Sequence, residues 1–235
     1  MKNLLIYSVS NTERLSYILN FFWGNNYHIT NSVEDFRSHI GAKIAYSSDQ
    51  IDERAYWIQS TDLLQKQNIE PQSCNISYWK NLPIFFQNGG DLPFDILAAS
   101  FYLLSRYEEY LPHEKDQYGR YKETNAIAFK EKFLHLPLVD LWFQQVETIL
   151  QEKFSDYQPQ LSTFRYIPTF DIDMPYALLH KPFYVQVGRL AKNMLNGNRE
   201  EFNFQINILT AKTQDPFDTF SLLDTQINQY VFSPL

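Results

Sequence analysis

Leu4-Leu5-Ile6-Tyr7, followed by Ser10-Asn11-Thr12-Glu13, is the stretch whose reading decides the fold class. Four consecutive apolar residues form a buried strand, the polar residues after them turn the chain, and Leu15, Ile18, Leu19 and Phe22 then recur at helical spacing. A strand feeding directly into a helix predicts an α/β protein. Short apolar runs at Tyr27–Ile29, Ile44–Tyr46, Tyr56–Ile58 and Ile84–Phe86, bounded by Asn, Ser, Asp or Gly, read mostly as further strands. A strand-helix-strand opening could carry a nucleotide at its first turn, but the Ser8–Asn11 turn has no glycine, which argues against a dinucleotide site there.

Outward from this opening, Phe94, Leu97, Ala98, Phe101 and Leu104 form a helical stripe over 93–106, with Pro93 in the first turn and Asp95 favourable against the helix dipole. Ile96, Ala99, Tyr102 and Leu103 fill its other side, so the spacing predicts a helix buried nearly all round. Residues 113–125 are charged, contain Gly119 and read as an exposed loop. Pro137 opens an amphipathic helix with Leu138, Trp142, Val146, Ile149 and Leu150 on one side. The polar Ser155–Gln160 segment, with Pro159, separates that helix from the apolar run Phe164–Phe170. The domains expected are therefore 1–160 and 161–235.

Composition narrows the function. In 235 residues with 17% aromatics, much of the core comes from flat side chains, some with hydroxyls that need partners. A formal charge of −7 supplies no cationic field for nucleic acid or an anionic membrane, and neutral or weakly charged ligands fit better. The single cysteine, Cys74, permits no internal disulfide and points to a reducing compartment. The first residues lack the apolar core of an export signal, no run is long enough to span a bilayer, and a cytoplasmic location is expected.

The densest chemical signal is Pro168-Thr169-Phe170-Asp171-Ile172-Asp173. On a strand, alternation sends Asp171 and Asp173 to one face about 6–7 Å apart. Two like charges there are compensated by a divalent cation or by protons; the plainer alternative is a strand end whose Asp residues cap the next helix. Arg106, Glu108 and Glu109 form either a polar site or a surface ion-pair group. Tyr107, Tyr110, Tyr118 and Tyr121 either stack on sugar rings or cover the helix beneath them.

Thr169–Asp173 resembles the first motif of the NodB-homology polysaccharide deacetylases, carbohydrate esterases that remove acetyl groups from glycans. Phe101–Pro112 (FYLLSRYEEYLP), Phe133–Trp142 (FLHLPLVDLW) and Asp215–Phe220 (DPFDTF) are similar to a Bacteroidetes group of these proteins, in which an α/β domain precedes the deacetylase barrel. The resemblance implies an N-terminal α/β domain followed by the opening elements of an incomplete (β/α) barrel, with Asp171 as general base and Asp173 as ligand to zinc or a similar divalent metal. It implies an acetylated glycan as substrate. The family's adjacent Asp pair is here split by Ile172, and its H-x-x-x-H pair is absent: the histidines are His28, His39, His113, His135 and His180. Two carboxylates without imidazoles predict no tight metal binding and no deacetylase activity by this chain alone. An unclosed barrel also predicts self-association through residues after about 160. Two other functions compete: a non-catalytic glycan-binding or scaffolding module, and a glycosyltransferase whose Asp171 and Asp173 hold Mn²⁺ or Mg²⁺.

Overall fold

The structure, a computed structural model, describes residues 4–159 and 169–230. The chain divides into two compact units, Met1–Leu161 and Ser162–Leu235.

The first unit contains β1 (Leu4–Ser8), α1 (Glu13–Trp23), β2 (Tyr27–Thr30), α2 (Val33–Ser38), β3 (Lys43–Ser47), β4 (Tyr56–Gln59), β5 (Ser77–Trp79), β6 (Leu82–Ile84), α3 (Ile96–Leu104), α4 (Ile127–Lys130) and α5 (Leu138–Lys153). A four-stranded sheet runs in the order β2-β1-β3-β4, with every pair parallel. Parallel strands need covered faces. Leu4, Ile6, Ile44, Tyr46, Tyr56 and Ile58 pack with residues of α1, α3 and α5 in the main core. Tyr7, Ala45 and Ala55, packed with Phe36 of α2, form the smaller core. The two-residue alternation along β1 and β3 thus divides the two cores.

Polar groups set the element ends. Thr12 caps α1, its Oγ1 accepting from the Leu15 amide at 3.1 Å and donating to the Leu64 carbonyl at 2.6 Å. α3 begins at Ile96, and Asp95 is its N-cap rather than a first-turn residue; Pro93 stands before the helix. As expected, α3 is sheathed nearly all round, with Ile96 through Ser100 and Tyr102 buried. Of the apolar run expected as a strand at 84–86 only Ile84 lies in one: β6 pairs antiparallel with β5, Lys80 (φ 49°) and Asn81 (φ 64°) make the two-residue turn, and Phe86 has a left-handed backbone (φ 59°). α5 follows Pro137, and its Trp142 donates Nε1 to the Pro83 carbonyl at 3.0 Å.

In the second unit the described residues form α6 (Phe183–Leu195), α7 (Arg199–Leu209) and α8 (Phe220–Tyr230). Gly197 (φ 68°) turns the chain between α6 and α7, and Asn198 caps α7. Of the strand expected at 164–173, residues 164–168 lie outside the described residues, and Thr169–Asp173 have no strand structure. That corrects the placement of the two aspartates: an irregular backbone does not impose the strand alternation that put them on one face. The α/β class holds for the first unit, while the described part of the second contains helices and no strand. No helix among the described residues is long and apolar enough to cross a membrane.

Candidate functional site

The strand order places the topological switch point between β1 and β3, the usual ligand position in open α/β sheets. Here its polar side chains are occupied internally. Ser8 Oγ donates to the Ser10 carbonyl at 2.9 Å, and Ser47 Oγ to the Asp49 carbonyl at 2.7 Å. Arg14 reaches the carbonyls of Leu63, Gln67 and Asn68, tying the segment after β4 against α1. Asp95, fully buried, gathers the Tyr46 hydroxyl at 2.9 Å, the Thr61 amide at 2.7 Å and hydroxyl at 2.9 Å, and the Ala98 amide at 2.9 Å. Burial pushes its carboxyl upward, against those four donors. Such complete pairing makes it a structural junction between β3, β4 and α3.

The chemistry gathers instead where α3 ends. Arg106 adopts a left-handed conformation (φ 52°, ψ 45°), which breaks the helix and starts the short turn Tyr107–Tyr110. Its guanidinium grips Glu109 through Nε, at 2.6 Å, and through Nη2. Glu108 turns the other way and accepts from the Ile127 amide at 2.9 Å, satisfying the start of α4. Burial raises the Glu108 carboxyl above its ordinary value. Tyr107 locks the turn from below, accepting from the Glu70 amide at 2.9 Å and donating to its carbonyl at 3.1 Å.

These residues surround a cavity of about 340 Å³ lined by Tyr102, Leu103, Arg106, Glu108, Tyr121 and Leu134, among others. The Tyr121 hydroxyl is buried there without a hydrogen-bond partner. Burial, with the Glu108 and Glu109 charges added, pushes it up to about 12. Tyr102 is raised too, first by burial, and the neighbouring Cys74 thiol is pushed up to about 11, which keeps it protonated and unreactive at neutral pH. The cavity therefore combines aromatic and apolar surface with carboxylate acceptors and a guanidinium donor. Of its carboxylates, Glu108 is engaged by the Ile127 amide and Glu109 by Arg106.

The structure separates the residues the sequence singled out. Arg106, Glu108, Glu109 and Tyr121 come together, whereas Tyr110 and Tyr118 are exposed and Tyr107 is buried as a structural bolt. Asp171 and Asp173 are both solvent-exposed in the second unit. His180, the histidine nearest in sequence, packs its ring against Tyr176 at 4.6 Å. No group of three or more His, Cys, Asp or Glu able to hold a metal ion occurs among the described residues. Two exposed carboxylates do not fit a zinc centre, which needs three protein ligands and a shielded open position.

Asp95 was legible as a helix-start residue but not as a buried junction, and Asp215 and Gln205 were not singled out. Asp95 had a visible signal, an Asp directly before an apolar helical run. Asp215 stood only in a resembling stretch, and Gln205 lies on α7, a helix the sequence reading did not place. Asp215 is buried and accepts from four amides, of Ala177 and Leu178 at 2.8 Å and of Leu179 and Phe217 at 3.0 Å.

The first unit is a parallel α/β domain whose candidate site sits at a helix end and is lined by residues outside the switch-point loops. The chain belongs to the family of unknown function DUF7033, whose model matches residues 4–155. No curated protein and no solved structure matches the chain.

Proposed function

We propose that the first unit is a non-catalytic module that holds a segment of an acetylated glycan, and that the chain serves a metal-dependent polysaccharide deacetylase. The observation that carries the binding reading is the Tyr121 hydroxyl, buried without a partner on the wall of a cavity that also presents Glu108 and the Arg106–Glu109 pair. Sugar hydroxyls both donate and accept, so one ligand type can satisfy Tyr121, a carboxylate and a guanidinium together. Tyr102, Leu103 and Leu134 supply apolar surface for the C–H face of a ring. A net charge of −7 accords with an uncharged ligand.

The deacetylase half of the reading is supported by the resemblance at Thr169–Asp173 and its companion stretches, which implies Asp171 as base and Asp173 as metal ligand. Those two side chains fall short of a metal shell by themselves. Barrel-type structure beyond residue 160, the cytoplasmic location and self-association of the second unit belong to the same proposal; Phe183, Tyr184 and Leu195, exposed on α6, offer apolar surface for association.

Calorimetric titration of the chain with N-acetylglucosamine oligomers tests the binding reading. Saturable binding is expected, with Tyr121→Phe weakening it by about threefold to tenfold, the worth of one hydrogen bond. Absence of saturable binding, or an unchanged affinity in Tyr121→Phe, would sink it.

A further inference from the structure

α6 and α7, with Ala177, Leu178 and Pro216, line a second, half-open cavity of about 290 Å³ in the second unit. Its apolar wall is Leu178, Phe204 and Ile208, and its rim carries Arg189, Lys192 and Glu201. Gln205 lines it too, and this side chain is only 5% exposed. Its Nε2 donates to Glu201 Oε1 at 3.2 Å, one turn earlier on the same helix. Its Oε1 is buried with no hydrogen-bond partner. Reversing the amide would set its oxygen against the Glu201 carboxylate, so the orientation is fixed by charge. An acceptor left in this state destabilises the fold, and a donor arriving with a ligand would recover that loss.

The rim adds a sign to that requirement. Arg189 is held in place by an Nη1 bond to the Ala177 carbonyl at 2.7 Å, and Lys192 stands one turn along α6. Among the lining side chains two cations face one carboxylate, which already accepts from Gln205, while the Asp215 carboxylate behind Ala177 and Leu178 is taken up by four amides. The cavity is therefore set for a negative group near Arg189 and Lys192 and an O–H donor near Gln205. Phe204 offers a ring face for the C–H surface between them.

We propose that this cavity binds a small, hydroxyl-bearing carboxylate of the size and chemistry of a hexuronate. Its carboxylate meets Arg189 and Lys192, and one of its hydroxyls donates to Gln205 Oε1. The proposal concerns the second unit alone and does not depend on glycan binding by the first.

The test is an NMR titration of the full chain with D-glucuronate, alongside D-glucose, which keeps the ring and loses the charge, and acetate, which keeps the charge and loses the ring. Glucuronate is expected to bind saturably, with glucose and acetate weaker by about tenfold or more. Gln205→Leu removes the unmatched acceptor, so its thermal midpoint should hold or rise while glucuronate affinity drops by about tenfold. Lys192→Gln, at an exposed position, should weaken binding several-fold and flatten its salt dependence, and it keeps the test valid if Gln205→Leu fails to fold. No saturable binding of glucuronate, equal binding of glucose, or parental affinity in both variants would overturn the proposal.

Discussion

Asp215 shows how much one side chain can organise. Its carboxylate collects the amides of Ala177, Leu178, Leu179 and Phe217, and so ties the segment before α6 to the segment before α8. Burial alone would raise its pKa, but the four donors outweigh that effect and hold it at about 2, below the ordinary 3.8. A depressed pKa means the ionised form favours the folded state. The contribution is full above the unfolded value of 3.8 and is lost as pH falls through about 2. Asp215→Ala should therefore destabilise the second unit by about 3 kcal/mol or more, since several buried amides lose their acceptor at once. Denaturant unfolding at pH 7 and pH 2 checks this: the gap between parent and variant should narrow at the lower pH, and a gap independent of pH would refute the ionic part of the argument.

At the scale of elements, the edge of the parallel sheet is the informative case. β4 is an outer strand with backbone groups left to pair, and the segment Asn88–Asp91 crosses it and supplies partners. The Asp91 amide donates to the Trp57 carbonyl, and the Trp57 amide donates to Asp91 Oδ2, both at 2.8 Å. Asn88 Nδ2 reaches the Gln59 carbonyl. This covers an edge that would otherwise template further strands. The crossing is close enough that a Cβ on Gly90 would stand 2.7 Å from the Gln59 nitrogen and 2.9 Å from the Trp57 oxygen, both backbone atoms that cannot swing aside. Gly90→Ala is expected to cost about 2–3 kcal/mol by this overpacking, since neither backbone atom can give way cheaply. Gly119→Ala has open space around it and φ of 79°, so its cost is the left-handed backbone alone, about 1 kcal/mol. Chemical denaturation of both variants distinguishes steric from conformational cost; equal effects would contradict the close crossing.

For the whole molecule, the first unit closes on itself. Trp23 of α1 donates Nε1 to Glu147 of α5 at 3.0 Å and to the Tyr157 hydroxyl at 3.1 Å, so the start and the end of that unit share one buried network. A chain ending at residue 159 is therefore expected to unfold cooperatively and to keep whatever glycan affinity the full chain has; a non-cooperative transition would argue that the unit needs the rest. Zinc titration of the 235-residue chain should give no tight stoichiometric site, because Asp171 and Asp173 are exposed and lack imidazole partners. A tight stoichiometric zinc site in calorimetry would refute that. The α/β class, the first strand and helix, the all-round burial of α3 and the amphipathic α5 were legible in the sequence, because periodicity records which faces meet water. The strand order, the covering of β4 by residues 88–91 and the four-amide grip of Asp215 were not, since each joins residues that local pattern does not relate. Arg106, Glu108, Glu109 and Tyr121 were visible one by one as polar or aromatic residues. Only the fold decided that Glu108 caps α4, that Arg106 holds Glu109, and that Tyr121 is buried unpaired beside them, because hydrogen bonding is settled by distance in space and burial by the packing of the whole chain.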